Sequence, residues 1–309
     1  MRPIIIDTDP GQDDAIALLL ALASPELTVL GITAVAGNVP LPKTLANALR
    51  IVELARRRDI SVFAGSDRPL FSPLVTAEYV HGTTGLDGAG LPEPALAPAG
   101  AHAVDFLVRA LEEAKEPVTL CPLGPLTNIA AMLHRAPHVA GKIEEIVLMG
   151  GSWREGGNVT PAAEFNIYVD PHAASLVFQS GIPLVMMPLD VTHKALVTPA
   201  RLAAIAAIGT PVGRSAAGML DYFSRFDRDV IGMEGAPLHD PTVIAYLLAP
   251  GLFSGVEAHV AIETDSSLTR GLTLVDTERR RGAPPNTRVM TDIDAEGFFA
   301  LLTSRLASL

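Results

Sequence analysis

Four aspartates stand within eight positions near the start of the chain: Asp7, Asp9, Asp13 and Asp14. Like charges at this density repel one another unless a positive charge lies among them. Carboxylate oxygens without Cys or several His beside them suit a hard divalent cation, Ca²⁺ or Mg²⁺, better than zinc. The alternative is a solvated acidic turn in which Asp13 or Asp14 caps a helix. Four acids directly after an apolar run favour the cation site.

The elements around these aspartates would place them at one edge of a sheet. Residues 4–6 are apolar and predict a buried parallel strand, Pro10-Gly11 predicts a turn, and residues 15–23 predict a helix. The carboxylates would then lie at the carboxyl end of a strand and in the first turn of a helix, where the helix dipole favours negative charge. Ligands of open α/β sheets bind at that edge.

The remainder of the chain continues this alternation of predicted strands and helices with short connections. The pattern is typical of an α/β fold with a mostly parallel open sheet flanked by helices, a Rossmann-like core, and an active site at the carboxyl ends of the strands. The 309 residues contain no internal repeat and no low-complexity linker. We therefore expect a single domain over residues 1–309.

Composition excludes several classes of function. The net charge of -11, with scattered Lys and Arg, argues against nucleic acid as a partner. The single cysteine, Cys121, excludes an internal disulfide and suits a reducing compartment. The longest apolar run, residues 15–23, is too short to cross a bilayer, and we find no signal peptide. We expect a soluble cytoplasmic protein with no membrane partner.

Two long loop-like segments interrupt the alternation, and each carries polar side chains. Residues 66–100 contain His81, which could equally be an ordinary surface histidine. Residues 152–166 contain Asn158, Glu164 and Asn166, which could bind hydroxyl groups or simply cap their own turns.

Two further groups are predicted at the edge that carries the aspartates. His239-Asp240 opens a helix, and the carbonyl of Leu123 follows a predicted strand. A cation held by several acids lowers the pKa of its bound water, and a neighbouring carboxylate can accept a proton as that water attacks. Asn and Glu would grip a substrate rich in hydroxyls, and a histidine could protonate a leaving group. These residues predict metal-assisted hydrolysis of a sugar derivative with a basic leaving group.

The motifs that carry these residues closely resemble, in order and spacing, those of the inosine-uridine preferring nucleoside hydrolase family. The resemblance covers essentially the whole chain, and an ordered set of motifs is more specific than any one of them. The matching segments are Asp7-Thr8-Asp9-Pro10-Gly11-Gln12-Asp13-Asp14-Ala15, Gly37-Asn38, His81-Gly82, Gly124-Pro125-Leu126-Thr127-Asn128-Ile129-Ala130, Met149-Gly150-Gly151, Ala163-Glu164-Phe165-Asn166 and His239-Asp240-Pro241.

The resemblance implies hydrolysis of the N-glycosidic bond of purine or pyrimidine ribonucleosides to ribose and free base, with a tightly held Ca²⁺. By motif position, Asp9, Asp14, Asp240 and the carbonyl of Leu123 would hold the metal. Asp9 would also be the general base for the attacking water, and Asn38 would lie near the sugar and that water. The family forms homodimers and homotetramers, so we expect one of these.

The resemblance also implies which residues bind the ribose. Asp13, Asn166 and Asp240 would contact the 2′- and 3′-hydroxyls, and Asn158 and Glu164 the 5′-hydroxyl. A deoxy substrate would leave such buried polar groups unpaired, which costs roughly 10⁴ or more in discrimination.

The leaving-group side follows the family less closely. The resemblance implies that His239 activates the leaving group, that His81 lines the base side of the pocket, and that Met149 and Phe165 are also substrate-binding residues. Relatives in this branch often carry tyrosines before the histidine.

At the corresponding positions this chain has Phe223 and Asp227. Phe223 could stack on a base, whereas Asp227 could not. Base preference is therefore left open.

Two other hypotheses compete with a nucleoside hydrolase. Asp7-Thr8-Asp9 after a strand resembles the nucleophile motif of haloacid-dehalogenase-type phosphatases, although such a site also needs a lysine and a later acidic pair, and the chain has only four lysines. The third hypothesis is a nucleoside-binding protein without turnover. We favour the hydrolase.

Overall fold

The apolar triplet Ile4-Ile5-Ile6 forms the buried middle of a central strand. Ile4 and Ile6 pack into the core on one face of the sheet and Ile5 into the core on the other, because successive side chains of a strand point to opposite faces.

In this computed structural model, the described residues are 1–226, 228–229, 232 and 234–309.

The large sheet is mostly parallel, as predicted. Within the described residues nine strands form it, in the order β10-β9-β11-β6-β5-β4-β1-β2-β3, and β7 and β8 form a separate pair. The strands are β1 (Arg2–Thr8), β2 (Leu27–Ala34), β3 (Val62–Ala64), β4 (Val118–Pro122), β5 (Ile143–Met149), β6 (Leu184–Met187), β7 (Leu196–Val197), β8 (Ala236–Pro237), β9 (Phe253–Ile262), β10 (Thr273–Asp276) and β11 (Thr287–Ile293). The seven strands from β3 to β11 are parallel, and β9 and β10 add antiparallel pairs at one edge.

Helices cover both faces of the sheet. The helices are α1 (Gln12–Leu22), α2 (Leu41–Leu54), α3 (Glu78–His81), α4 (Ala103–Glu113), α5 (Thr127–Arg135), α6 (Phe165–Val169), α7 (Pro171–Phe178), α8 (Leu189–Thr192), α9 (Pro199–Ala206), α10 (Pro211–Phe226), α11 (Pro241–Leu248) and α12 (Ala295–Leu306). Buried residues of α1, α2, α10, α11 and α12 share one core with Ile4 and Ile6, and those of α4, α5 and α7 share the other with Ile5.

Strand order reverses beside β1, and this topology opens a crevice. The chain passes from β1 to β2 on one side, then returns to place β4 on the other side. Asp7 lies opposite Thr33 of β2 and Pro122 of β4, so these strands end at about the same level. The backbone N–H of Leu123 donates to the carbonyl of Asp7 at 2.7 Å. The carboxyl ends of β1 and β4 thus flank a topological switch point.

The prediction that Cys121 is a strand residue is confirmed, whereas two other local predictions need correction. Cys121 is a buried residue of β4. Among the described residues, none of the helices is both long enough and apolar enough to cross a membrane. The segment 66–100 is not wholly irregular, because it contains α3, which ends at His81. Strand β10 has no counterpart in the sequence-based prediction.

Candidate active site

Asp13 and Asp14 lie in the first turn of α1 and are buried. One oxygen of Asp14 accepts from the hydroxyl of Thr8. Its other oxygen accepts from the backbone N–H of Gly11 at 3.0 Å and from Asn38 Nδ2 at 3.1 Å. These donors hold Asp14 against the end of β1, so its orientation follows from local sequence and from one loop beyond β2.

Asp9 follows β1 directly and has no exposed surface. Its Oδ2 accepts from the backbone N–H of Asn38 at 2.7 Å, whereas none of the described residues donates to its Oδ1. A Cβ on Gly37 or Gly124 would lie about 2 Å from a carboxylate oxygen of Asp9, at 2.0 and 2.1 Å respectively, so glycine is required at both positions. A buried carboxylate oxygen without a donor costs free energy unless a cation or a proton satisfies it.

Asp240 joins this cluster from the start of α11. Asp13, Asp14 and Asp240 each offer a carboxylate oxygen within 4.8 Å of the other two, and all three are buried. Asp9 is not part of that group of three. Carboxylate oxygens are the ligands that a hard divalent cation prefers. The cluster therefore agrees with the metal ion that the resemblance to the family implies.

Burial and mutual repulsion dominate the electrostatics of the cluster. Burial raises the pKa of Asp9 well above its ordinary value, and the charge of Asp14 raises it further. Burial likewise raises the pKa of Asp14 and, well above its ordinary value, that of Asp240, where the charge of Asp13 adds to the effect. Each raised pKa means that the negative charge of the ionised carboxylate is unfavourable in this buried site. A bound cation would therefore stabilise the ionised forms.

Asp7 supports the strand end from behind. Its Oδ1 accepts from the hydroxyl of Thr33 and from Asn128 Nδ2, the latter at 2.8 Å. Burial raises the pKa of Asp7 to about 7. Asp7 is not among the residues that line the cavity described below. A phosphatase nucleophile at this position would have to face its substrate, which argues against the haloacid-dehalogenase hypothesis.

Opposite the acids, the loop before α6 supplies amide and carboxylate groups. Glu164 caps α6: one of its oxygens accepts from the N–H of Asn166 at 3.0 Å and the other from the N–H of Gly151 at 2.8 Å. Asn158 Oδ1 accepts from the N–H of Phe165 at 3.0 Å. Glu164 therefore caps its own turn, whereas Asn158 bonds to a residue seven positions later, and both also line the cavity. Burial raises the pKa of Glu164.

Asn166 connects this loop to the sheet edge. Its Nδ2 donates to the carbonyl of Leu123 at 2.7 Å and to that of Met149 at 3.3 Å. The amide thus spans the ends of β4 and β5. Leu123 is buried, and its carbonyl lies at the same edge as the aspartates.

Histidines and aromatic rings form the other end of the cavity. His81, which is 7% exposed, stacks on Phe223 of α10 with ring centroids 5.6 Å apart and an interplanar angle of 21°. His239 Nδ1 lies 2.8 Å from the hydroxyl oxygen of Thr192. Burial lowers the pKa of His81 to about 4. Burial, with smaller effects from His193 and His81, lowers the pKa of His239 to about 3, although part of the ring faces the cavity.

These groups surround one cavity of about 310 Å³, a size that suits a small ligand. Most of the residues proposed from the sequence line it: Asp13, Asn38, His81, Leu123, Met149, Asn158, Glu164, Phe165, Asn166, Phe223, His239 and Asp240. Asp9 and Asp14 lie beneath that surface. Asp227 lies outside the described residues.

Seven of the described lining residues were not predicted from the sequence, and three of these carry aromatic rings: Tyr79, Phe226 and His193. Tyr79 and Phe226 form an edge-to-face pair with centroids 5.7 Å apart, and His193 lies 6.0 Å from His239 between ring centroids. The sequence contained a signal for each of these three residues. Tyr79 is two positions before His81, Phe226 is one helical turn after Phe223, and His193 follows a predicted parallel strand.

Comparisons with known proteins agree with this site. The family model of the inosine-uridine preferring nucleoside hydrolase matches residues 4–300. The pyrimidine-specific ribonucleoside hydrolase RihA of Photobacterium profundum is 53% identical over 99% of both chains, and that of Enterobacter sp. (strain 638) is 51% identical over 99% of this chain and 97% of the relative.

Solved structures show the same architecture. The plant nucleoside hydrolase PpNRh1 superimposes with a TM-score of 0.94 at 33% identity over 99% of both chains. The purine-preferring ribonucleoside hydrolase of Gardnerella vaginalis gives a TM-score of 0.92 at 30% identity over 99% of this chain and 98% of that one. The predicted fold class is thereby confirmed. The chain belongs to the inosine-uridine preferring nucleoside hydrolase family, and it is an enzyme that hydrolyses the N-glycosidic bond of ribonucleosides.

Proposed function

We propose that the preferred substrates are pyrimidine ribonucleosides, held with the ribose on the acidic cluster and the base against the histidines and aromatic rings. The observation that carries this orientation is the division of a single cavity into a carboxylate end and an aromatic end. The pyrimidine preference is supported by the relatives at 51–53% identity, whose names specify pyrimidines. The purine-preferring enzyme of known structure is only 30% identical.

The cofactor in this proposal is Ca²⁺, bound by Asp9, Asp14, Asp240 and the carbonyl of Leu123. Two features support a cation here: the buried Asp9 Oδ1 without a donor among the described residues, and the raised pKa values of the clustered carboxyls. Asp13 is close enough to Asp14 and Asp240 to contribute to its field. When bound, the cation would supply positive charge that neutralises these acids and makes a neighbouring water more acidic.

Asp9 is the general base in this proposal. The cation would keep this buried carboxylate ionised, and the ionised carboxylate is the form that can accept a proton from water. The Asn38 N–H that donates to Asp9 Oδ2 orients the carboxylate, so Oδ1, which has no donor among the described residues, is the oxygen left for both the cation and the attacking water. The Asn38 side chain lines the cavity beside it.

Ribose recognition is assigned to groups on two sides of the sugar. Asp13, Asp240 and Asn166 take the 2′- and 3′-hydroxyls, and Glu164 and Asn158 take the 5′-hydroxyl. All five line the cavity, and the hydrogen bonds that Glu164 and Asn158 make to backbone N–H groups fix their orientation before substrate binds. Negative charge around the ring also suits the positive charge that develops on the sugar as the bond breaks.

Leaving-group activation is assigned to His239, with Met149, Phe165, Phe223 and His81 as further substrate contacts. The lowered pKa of His239 means that its imidazole is neutral in the free protein near pH 7. A neutral imidazole still carries one N–H, which can donate to the base as negative charge builds up there. Phe223 and His81 lie with parallel rings, an arrangement that suits a flat base beside them.

A panel of nucleosides tests the proposal. Measurements of kcat/KM for uridine, cytidine, inosine, adenosine and 2′-deoxyuridine with saturating Ca²⁺ should rank both pyrimidine ribonucleosides at least about tenfold above the purines, because each 1.4 kcal/mol of lost base contact is tenfold. The deoxynucleoside should be poorest, by roughly 10⁴. Faster hydrolysis of inosine than of uridine would overturn the base preference.

Two further predictions concern the whole protein. A homodimer or homotetramer is expected from the family, and sedimentation velocity at micromolar concentration would detect either. A cytoplasmic location is expected from a role in nucleoside turnover, and cell fractionation would test it.

A further inference from the structure

Gln12, the first residue of α1, is fully buried and contacts His81, which lines the aromatic end of the cavity. Its Nε2 donates to the backbone carbonyl of His81 at 2.9 Å and to that of Asp87 at 3.2 Å. Its Oε1 lies 2.7 Å from Nδ1 of the same His81. One amide therefore contacts both the backbone and the ring of a cavity residue.

The two carbonyls determine which way the Gln12 amide points. Both are acceptors only, so the group that faces them must be the NH₂, and rotating the amide by 180° would bring oxygen against oxygen. Oε1 is consequently the atom that faces the His81 ring. A carbonyl oxygen can only accept, so His81 Nδ1 must carry the hydrogen.

A fixed proton on Nδ1 determines the chemistry of the other ring nitrogen. A neutral imidazole has one N–H, so Nε2 of His81 is then a bare acceptor. Burial lowers the pKa of His81 to about 4, which agrees with a neutral ring. The ring lines the cavity and stacks on Phe223, on the aromatic end of the cavity.

We propose that Gln12 is a positioning residue that locks His81 in the tautomer protonated on Nδ1, so that Nε2 accepts a hydrogen bond from an N–H of the leaving base. The tautomer stands on the contacts of Gln12 alone, whereas its use toward the base rests on the proposed function. Free pyrimidine and purine bases carry N–H groups on their edges, and an Nε2–H tautomer would oppose donor to donor.

Asn47 offers a matched control. Its Nδ2 donates to the carbonyls of Pro10 at 3.0 Å and Thr84 at 2.8 Å, so it ties the same two segments together as Gln12 does. It makes no hydrogen bond to a histidine among the described residues. A purely structural role of Gln12 would therefore be shared by Asn47, and a role in tautomer selection would not.

The ¹⁵N chemical shifts of the His81 ring test the tautomer in the full-length protein with its metal and without substrate. Protein labelled with ¹⁵N-histidine would be compared with Gln12→Met and Asn47→Leu, and His81→Asn would identify the signals. Wild type and Asn47→Leu should show a protonated Nδ1 and an unprotonated Nε2. Gln12→Met should gain the tautomer protonated on Nε2. A wild-type protein already protonated on Nε2, or an unchanged ratio in Gln12→Met, would overturn the proposal.

Kinetics test the use of that tautomer. Gln12→Met should lower kcat/KM for uridine by about tenfold, the effect of one lost hydrogen bond, and leave p-nitrophenyl riboside nearly unchanged because its leaving group has no N–H. Asn47→Leu should affect both substrates equally. Equal losses on both substrates in Gln12→Met would overturn the contact to the base. If wild type hydrolysed p-nitrophenyl riboside but not uridine, the proposed function would fail while the ¹⁵N result still decided the tautomer.

Discussion

The two ends of the cavity are built in different ways. The acidic end rests on the ends of neighbouring parallel strands, and its side chains are held by hydrogen bonds from backbone N–H groups, as at Asp9 and Glu164. The aromatic end rests on α3, on α10 and on His239, and its side chains are held by ring packing and by side-chain hydrogen bonds to the two histidines. Chemistry common to every substrate is assigned to the first end, and discrimination between bases to the second.

This difference follows from what each end has to do. A ribose and a cation demand oxygen and nitrogen atoms at fixed positions, which strand ends provide because the sheet itself fixes their spacing. A base varies among substrates, and flat rings on helices outside the sheet can change without disturbing the sheet. Substitutions at the acidic end should therefore reduce turnover of every nucleoside, and those at the aromatic end should change the ranking of nucleosides.

The largest effect is expected from Asp9→Asn. The amide cannot accept a proton from water and weakens the site for a cation, so kcat/KM should fall by about 10⁴, at the upper end of the range for a lost general base. The fall should be equal for uridine, cytidine and p-nitrophenyl riboside, which initial-rate assays with excess Ca²⁺ would establish. A loss confined to one substrate would contradict the assignment of Asp9 to the shared chemistry. Circular dichroism would show that the variant is folded.

His239→Ala should have a smaller and selective effect. Loss of the donor to the departing base should slow uridine by about 10² but p-nitrophenyl riboside only slightly, because p-nitrophenolate leaves without help. Equal losses would mean that His239 positions the substrate and donates nothing to the base.

The pH profile gives a second measurement on the same residue. Because the pKa of His239 is lowered to about 3, its ring is neutral throughout the range from pH 6 to 8. As the pH rises through 6.5, wild-type kcat/KM for uridine should therefore not decrease through deprotonation of this histidine. A fall there that disappears in His239→Ala would contradict the assignment of a neutral donor.

Prediction from the sequence was better at the acidic end than at the aromatic end. Asp13, Asp14 and Leu123 follow strands or open helices, so local pattern and the rule for parallel sheets place them without knowledge of distant contacts. Asp9 and Asp14 lie below the lining of the cavity, a depth that depends on Gly37 and Gly124 leaving room around Asp9. The sequence pattern alone does not indicate how far below the cavity surface a side chain will lie.

At the aromatic end, position depends on packing between elements that are far apart in the chain. Tyr79 reaches the cavity because α3 packs on α10, some 150 residues later, and the Tyr79–Phe226 pair lies at that contact. The tautomer of His81 depends on Gln12, 69 positions earlier. Such contacts leave no periodic signal in either segment, which is why Tyr79 was not predicted although His81, two positions later, was.

Phe223→Leu should change base selection by a modest amount. Leucine keeps most of the apolar volume but removes the ring that stacks on His81, so we expect kcat/KM for uridine to fall about tenfold or less, in line with 0.5–1.5 kcal/mol for an aromatic pair. The ratio of uridine to inosine should change as well. Phe71→Leu is a matched control, since Phe71 is 77% exposed and does not line the cavity. The same change of ratio in both variants would contradict a specific role for Phe223.

The smallest effect is expected in the stability of the metal-free protein, and it belongs to the acidic end alone. Burial raises the pKa of Asp9, Asp14 and Asp240, and that of Asp7 to about 7, so between pH 5 and 7 these four carboxyls bind more protons in the folded state than in the unfolded state. Their contribution to stability must then fall as pH rises through this window.

Calcium favours the ionised forms of the three carboxylates that hold it, Asp9, Asp14 and Asp240, and should remove their part of that slope. Scanning calorimetry at pH 5, 6, 7 and 8, with EDTA or with excess CaCl₂, should show a Tm difference that widens by a few degrees as pH rises, since about 1 kcal/mol corresponds to 2–4 °C in a domain of this size class. Phe223→Leu should lower both curves without changing the difference between them, because Phe223 is not one of the groups that bind the cation. Parallel curves with and without calcium in wild type would mean that the buried acids do not hold the cation.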